Sequence, residues 1–229
     1  AVDLSDIPEV KNILVLSQLG VETGDALADI LLGKANPSGK LATTWSAWEE
    51  YAPMADFGDH NDTRYREGIY VGYRYFDSVG RKALFPFGHG LSYTTFETKV
   101  ESVTLEGDAV TVRATVTNTG KFPGKEVVQV YVSAPEGKLD KPYQDLAGFA
   151  KTSELVPGGA ETVAVQFSLK DLASYDEEIS AYILEKGSYI IRVGNSSADT
   201  QVAAQIMLPE TVTVQQVKKA LGQPDFADW

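Results

Sequence analysis

The stretch Ala83-Leu-Phe-Pro-Phe-Gly-His-Gly-Leu-Ser-Tyr-Thr-Thr-Phe96 decides the reading of this chain. It is neither an amphipathic helix nor an alternating strand. Pro86 fixes its own φ and removes a backbone donor, and Gly88 and Gly90 permit backbone angles that a side chain would forbid. Aromatic residues crowd around these three. Such a run is built for a specific turn between packed pieces. The sequence on its two sides differs in kind.

On the N-terminal side, Lys11-Asn-Ile-Leu-Val-Leu-Ser-Gln-Leu19 contains a continuous apolar run. That pattern predicts a strand buried on both faces, as in a parallel sheet. Asp25 to Leu32 places Leu27, Ala28, Ile30 and Leu31 at helical spacing. Thr23 and Asp25 are candidate N-caps, and Gly33 stands where a C-terminal stop belongs. Asn36-Pro-Ser-Gly39 reads as a turn and Leu41 to Trp45 as another short strand. Residues 1–46 therefore read as one strand–helix–strand unit, which cannot bury its own sheet faces. It looks like the end of a larger α/β domain. Residues 47–92 read as an irregular, aromatic-rich connection. Segments this long without regular structure are usually functional or wrapped over a neighbour.

On the C-terminal side, from Tyr93, the period changes to two. Val110, Val112, Ala114 and Val116 alternate with Thr111, Arg113, Thr115 and Thr117. Further strands are expected at Val127 to Val132, Leu146 to Thr152, Glu161 to Leu169, Gly187 to Gly194 and Thr200 to Leu208, with turn signals between them. About seven such strands over residues 93–208 predict an immunoglobulin-like β-sandwich. Residues 209–229 read as a linker or C-terminal strap with a helical turn set at Val214 to Leu221. The fold class is α+β: a short α/β remnant followed by the sandwich.

Composition narrows the function. The chain has 229 residues, a formal net charge of −12 and no cysteine. The charge argues against nucleic acid, whose phosphates call for Lys and Arg, and against an anionic membrane surface. Thiolate catalysis and cysteine–metal sites are excluded. The longest apolar run is far too short to span a bilayer. The sequons at Asn61 and Asn195 are of a kind that occurs often by chance, and compartment is left open.

Three motifs then carry a resemblance. Gly24-Asp-Ala-Leu-Ala-Asp-Ile-Leu-Leu-Gly33 with Asn36-Pro-Ser-Gly-Lys-Leu41, Glu67-Gly-Ile-Tyr-Val-Gly-Tyr-Arg-Tyr-Phe-Asp77, and Leu84 to Phe96 resemble, in this order, three stretches of glycoside hydrolase family 3. His89 stands where the family usually has Tyr. The strand pattern after Tyr93 is similar to the fibronectin type III-like domain found in many members. The resemblance implies a retaining enzyme that removes a non-reducing terminal β-linked sugar, most often a β-glucosidase. Such enzymes use two carboxylates about 5 Å apart. In the family the nucleophile is an Asp on a TIM-like barrel and the acid/base is typically a Glu on a loop of the α/β sandwich. Neither motif matches a position here. The resemblance thus implies a chain that scaffolds an active site without carrying its catalytic residues. Its partners would be a β-linked glucoside or oligosaccharide and the barrel with the rest of the sandwich. No cofactor or metal is implied, and the barrel is expected on either side in sequence.

Glu67 and Asp77 form a tempting carboxylate pair, but the family assigns catalysis elsewhere, and Glu67 is expected to pair with Arg64, Arg66 or Arg74. Asp59, His60 and Tyr65 are the candidate substrate-binding rim, because carboxylates grip hydroxyls and aromatic faces stack on sugar rings. A solvated loop is the plainer reading of the same residues. His89 is expected to pack with a ring nitrogen hydrogen-bonded. An alternative function is a carbohydrate- or protein-binding module, which calls for a flat row of exposed aromatics among Tyr131, Tyr143, Tyr182 and Tyr189. A third possibility is one product of a nicked polypeptide, which calls for an exposed apolar face around Ile13 to Leu16 and Leu27 to Leu32.

Overall fold

A computed structural model of the chain describes residues 7, 9–51, 61–220 and 222. The first element is helix α1 (Thr23–Leu31). Its N-cap is Glu22, with no side-chain cap, while the Thr23 hydroxyl donates backwards to the Gly20 carbonyl at 2.5 Å. Gly33 adopts φ +70° just past the end. Its N–H reaches the Ile30 carbonyl and the Lys34 N–H reaches that of Asp29, so the left-handed glycine closes the helix as its position in the sequence predicts.

Two expected strands do not form. Residues 11–19 carry no ladder, and Ile13, Leu14 and Val15 are each more than 40% exposed. A strand of a parallel sheet exists only with neighbours to hydrogen-bond, and none lies beside this run among the described residues. Leu41 to Trp45 makes only an isolated bridge, Trp45 to Phe85. Conversely, the supposedly irregular connection contains helix α2 (Tyr73–Val79), whose buried residues are Tyr73 and Phe76. Gly80 ends it in the left-handed conformation.

The sandwich has two facing sheets. Strands β1 (Phe96–Glu106), β2 (Ala109–Asn118) and β5 (Ala160–Ser168) form one. Strands β4 (Asp145–Lys151), β3 (Val127–Ser133), β8 (Gly187–Ser196) and β9 (Asp199–Leu208) form the other in that order. All pairs are antiparallel. Val110, Val112, Ala114 and Val116 of β2 pack with Val163, Val165 and Phe167 of β5 against Val128, Val130, Val132, Ile191 and Val193 of the facing sheet. This is the two-layer core that the period-two pattern predicts.

A small third sheet joins β6 (Ser174–Asp176), β7 (Ala181–Leu184) and β10 (Val212–Gln216). The tail expected to turn helically at Val214 is therefore extended and pairs with β7. Its Val, Thr and Gln residues suit a strand once an edge is available.

Strand β3 departs from alternation in a way that positions everything else. Val127 to Val132 are all buried. One face fills the sandwich core; the other, Gln129 and Tyr131, is covered from outside by α2 and the Ala83–Phe96 stretch.

Candidate functional site

The cover over β3 is built from the three motif-bearing segments. Residues 41–45 run beside 85–89: the Leu41 N–H donates to the His89 carbonyl and the Gly88 N–H to the Leu41 carbonyl, each at 2.8 Å, and Trp45 and Phe85 exchange backbone bonds. Gly90 approaches so closely that a Cβ there would lie 2.1 Å from the Gly39 carbonyl oxygen. The Lys40 ammonium pairs with Glu126 at 2.8 Å, with both side chains less than 15% exposed, and also reaches the Gly90 carbonyl at 3.2 Å. Glu126 in turn accepts the Val127 N–H at 2.6 Å.

Gly88, at φ +79°, sits directly on Gln129. The Gln129 amide donates to the carbonyls of Gly88 at 3.1 Å and Asn195 at 2.6 Å, and its oxygen accepts from the buried Tyr131 hydroxyl at 2.6 Å. Burial pushes the Tyr131 hydroxyl far above the usual phenol range. The Tyr73 ring stacks on Phe87 at 4.8 Å and meets Tyr131 edge-on at 5.9 Å. Its hydroxyl accepts the Leu146 N–H at 2.8 Å. Arg74 binds the Asp145 carboxylate and lies over the Tyr73 ring. Helix α2 is thus pinned to four consecutive residues, Tyr143 to Leu146, at the start of β4 and just before it, since the Tyr143 N–H also donates to Ser78 Oγ at 2.8 Å and the Gln144 amide to Asp77 Oδ2 at 2.9 Å.

One of the two tempting carboxylates, Asp77, is held by the Gln144 amide. Asp77 is half-buried; burial raises its pKa, opposed by the Gln144 amide that donates to it and by the nearby Ser197 hydroxyl. Arg74, one expected partner of Glu67, is engaged by Asp145 instead. His89 packs its ring on Phe85 at 5.7 Å. The expected ring-nitrogen hydrogen bond is not found among the described residues. Burial, with the Lys40 charge nearby, lowers the His89 pKa. Tyr65 is 76% exposed. Asp59 and His60 lie outside the described residues. Among the described residues there is no group of three or more His, Cys, Asp or Glu that could hold a metal ion, and no helix is long and apolar enough to cross a membrane.

The aromatic row that a binding module would need is broken. Tyr131 and Tyr189 are at most 1% exposed and belong to the core, while Tyr143 and Tyr182 are partly exposed on separate elements. The residues that sequence reasoning passed over are Gln129 and Gln144. Both are nearly fully buried amides that hold the cover in place. Their only sequence signal is a polar residue interrupting an apolar or motif-dense run.

Comparison with known proteins agrees with this geometry. The profile described as "Glycosyl hydrolase family 3 C-terminal domain" matches residues 1–93, and that described as "Fibronectin type III-like domain" matches residues 126–197.

The chain belongs to glycoside hydrolase family 3.

It is 43% identical over 238 residues to a relative named beta-glucosidase A from Butyrivibrio fibrisolvens, covering 93% of this chain and 29% of that protein. It is 38% identical over 222 residues to an exo-alpha-(1->6)-L-arabinopyranosidase from Bifidobacterium breve, covering 96% of this chain and 28% of that one. Among solved structures, a beta-glucosidase from Paenibacillus barengoltzii superposes with a TM-score of 0.83 at 44% identity, over 86% of this chain and 23% of that one. The chain thus spans less than a third of the length of these family 3 relatives.

Proposed function

We propose that this chain is the non-catalytic closing part of a retaining β-glucosidase. The observation that carries the reading is the 43% identity with a beta-glucosidase along nearly the whole chain. The interlocked cover on β3, assembled from all three motif segments, supports it. The whole enzyme would bind a β-linked glucoside by its non-reducing end. A carboxylate attacks the anomeric carbon while a carboxylic acid gives its proton to the leaving oxygen, and the aglycone departs. Water, deprotonated by the second group, then cleaves the glycosyl–enzyme bond and releases sugar with its configuration retained. Both carboxylates belong to parts of the enzyme outside this chain.

The chain's own task is mechanical. Leu31 and Leu32 of the α1 end are about 70% exposed, and the 13–15 run is half-exposed. We read this apolar face as the seat for the rest of the α/β sandwich, to which the catalytic barrel is attached. The fibronectin-like sandwich buttresses it through β3. Asp59, His60 and Tyr65 are assigned to the rim, where they would contact the aglycone of a longer substrate. The sugar itself is the finer part of the proposal, since a relative just as well covered is named for L-arabinopyranose.

The test is a reaction of the enzyme containing this chain with an aryl β-D-glucoside, followed by NMR of the first anomer released. β-Glucose is expected. Release of α-glucose, or no hydrolysis of any aryl β-glycoside, contradicts the proposal. Replacing Asp59, His60 and Tyr65 with Ala should raise KM for oligosaccharides with little change for the aryl glycoside, and unchanged oligosaccharide kinetics removes the rim assignment.

A further inference from the structure

The loop between β3 and β4 runs from Ala134 to Gln144 without a strand or helix. Backbone groups outside a ladder need other partners, and those partners set the shape of the loop. Its second half faces helix α2 and the residues before it. The Lys141 carbonyl accepts from the Tyr70 hydroxyl at 3.5 Å. Tyr143 and Gln144 hold Ser78 and Asp77, and beyond them Asp145 and Leu146 hold Arg74 and Tyr73. Residues 141–146 therefore anchor residues 70–78.

The first half of the loop is folded around one carboxylate, Glu185, which directly follows β7. Glu185 accepts the Lys138 N–H at 2.6 Å and the Leu139 N–H at 3.3 Å. It pairs with the Lys141 ammonium at 3.1 Å, and both side chains are less than 10% exposed. Gly137 backs onto the same group, so that a Cβ there would collide with Glu185 Oε1. The buried Tyr189 hydroxyl donates to the Glu185 carbonyl at 3.0 Å and fixes the backbone that carries the carboxylate. The Lys138 ammonium extends the grip to Asp176 and Glu178, at 2.9 and 2.6 Å. Charge-assisted hydrogen bonds are the strong ones, and removing one partner of a buried ion pair costs far more than removing one from a surface pair.

We propose that Glu185 is a positioning residue that acts through the β3–β4 loop: it sets where helix α2, and the segment leading into it, sit on the sandwich. Lys141 is the joint, since its ammonium meets Glu185 while its carbonyl meets Tyr70. The consequence for substrate rests on the reading of Tyr65, shortly before Tyr70 in the chain, as part of the rim. Under that reading Glu185 governs the grip on the far end of an oligosaccharide without touching it. The rival account is that α2 keeps its place through the burial of Tyr73 and Phe76 alone.

Hydrogen exchange in the 229-residue chain separates the two accounts and needs no activity. Glu185→Gln keeps the side chain's shape but removes the charge that Lys138, Leu139 and Lys141 share. Exchange at the Tyr75, Phe76 and Arg81 amides, which bond to the Gly72 and Phe76 carbonyls, should quicken by about tenfold or more. Amides of the central strand β2 should change by less than about threefold. Lys141→Met should act in the same direction. The double variant E185Q/K141M leaves no buried charge unpaired and should recover part of the protection; it carries the comparison if either single variant does not fold. Unchanged exchange in α2, or equal acceleration of all amides, overturns the proposal. In the longer enzyme, Glu185→Gln should raise KM for oligosaccharides by about threefold or more and leave kcat on an aryl β-D-glucoside unchanged. An unchanged KM beside a loosened α2 overturns the link to the rim. Absence of any hydrolysis by the unaltered longer enzyme contradicts the glycosidase reading instead, and the exchange result stands apart from it.

Discussion

Asn36 Oδ1 accepts the backbone N–H of Tyr93 at 2.9 Å. The same oxygen takes the Ser92 hydroxyl, and the Asn36 amide donates to the Pro123 carbonyl at 2.8 Å. One side chain from the Asn-Pro-Ser-Gly turn thus ties the α1 region to the entrance of the sandwich and to the loop before β3. Asn36→Ala should lower stability by about 1–2 kcal/mol, since it abandons three partners, one of them part-buried. Asn36→Asp keeps the acceptor but sets a second oxygen against the Pro123 carbonyl, so it should be at least as damaging at neutral pH. Urea denaturation of the two variants measures this.

Glycine substitutions should divide by sign. Gly90→Ala drives a Cβ onto the Gly39 carbonyl, where only backbone movement relieves the clash; a loss of about 1–3 kcal/mol or more is expected. Gly24, inside α1, has open space around it, so Gly24→Ala should stabilise by about 0.5–1 kcal/mol through helix propensity. Thermal melts of the pair test the close approach at Gly90.

Asn118 is fully buried. Its amide donates to the Phe122 and Leu155 carbonyls, and its oxygen accepts from the Thr94 hydroxyl and the Gly120 N–H. Asn118→Ala leaves buried carbonyls and a hydroxyl without partners, and about 2–4 kcal/mol of stability should be lost. Asn118→Asp should not rescue it, because the two donated bonds vanish.

The Asp77 carboxyl has a pKa raised above its ordinary 3.8 by burial. The folded state therefore holds this proton more tightly than the unfolded chain. The stabilisation is complete below pH 3.8 and is lost as pH rises through the folded-state value. Asp77→Asn keeps an acceptor for Gln144 and removes the titration. Its melting temperature relative to the parent should therefore improve as pH is raised from 4 to 7. An opposite slope contradicts the burial argument.

The sandwich was legible because its chemistry is local. Val110 to Val116 alternate, and β2 follows; Asp25 to Leu32 repeat at helical spacing, and α1 follows, stopped by Gly33. The failures have one physical source, which is that context overrides pattern. Ile13 to Leu16 is a strand sequence without a neighbour, so no ladder forms. The Tyr73–Val79 run has aromatic and β-branched residues that suit a strand, yet it coils because Tyr73 and Phe76, three apart, are both buried, Tyr73 against Tyr131 of β3 and Phe76 against Tyr51. Val212–Gln216 found the edge of β7, which no reading of the tail alone contains. Asp77 stood out within its motif, whereas Gln144, whose amide holds it, carried no comparable local signal.

The central claim is that this chain supports glycoside hydrolysis without performing it. Turnover of an aryl β-D-glucoside should be measured for the 229-residue chain and for the longer enzyme containing it, side by side. The account predicts hydrolysis with retention by the longer enzyme and none by the chain. Turnover by the chain alone, abolished by Asp77→Asn or Glu67→Gln, would contradict it.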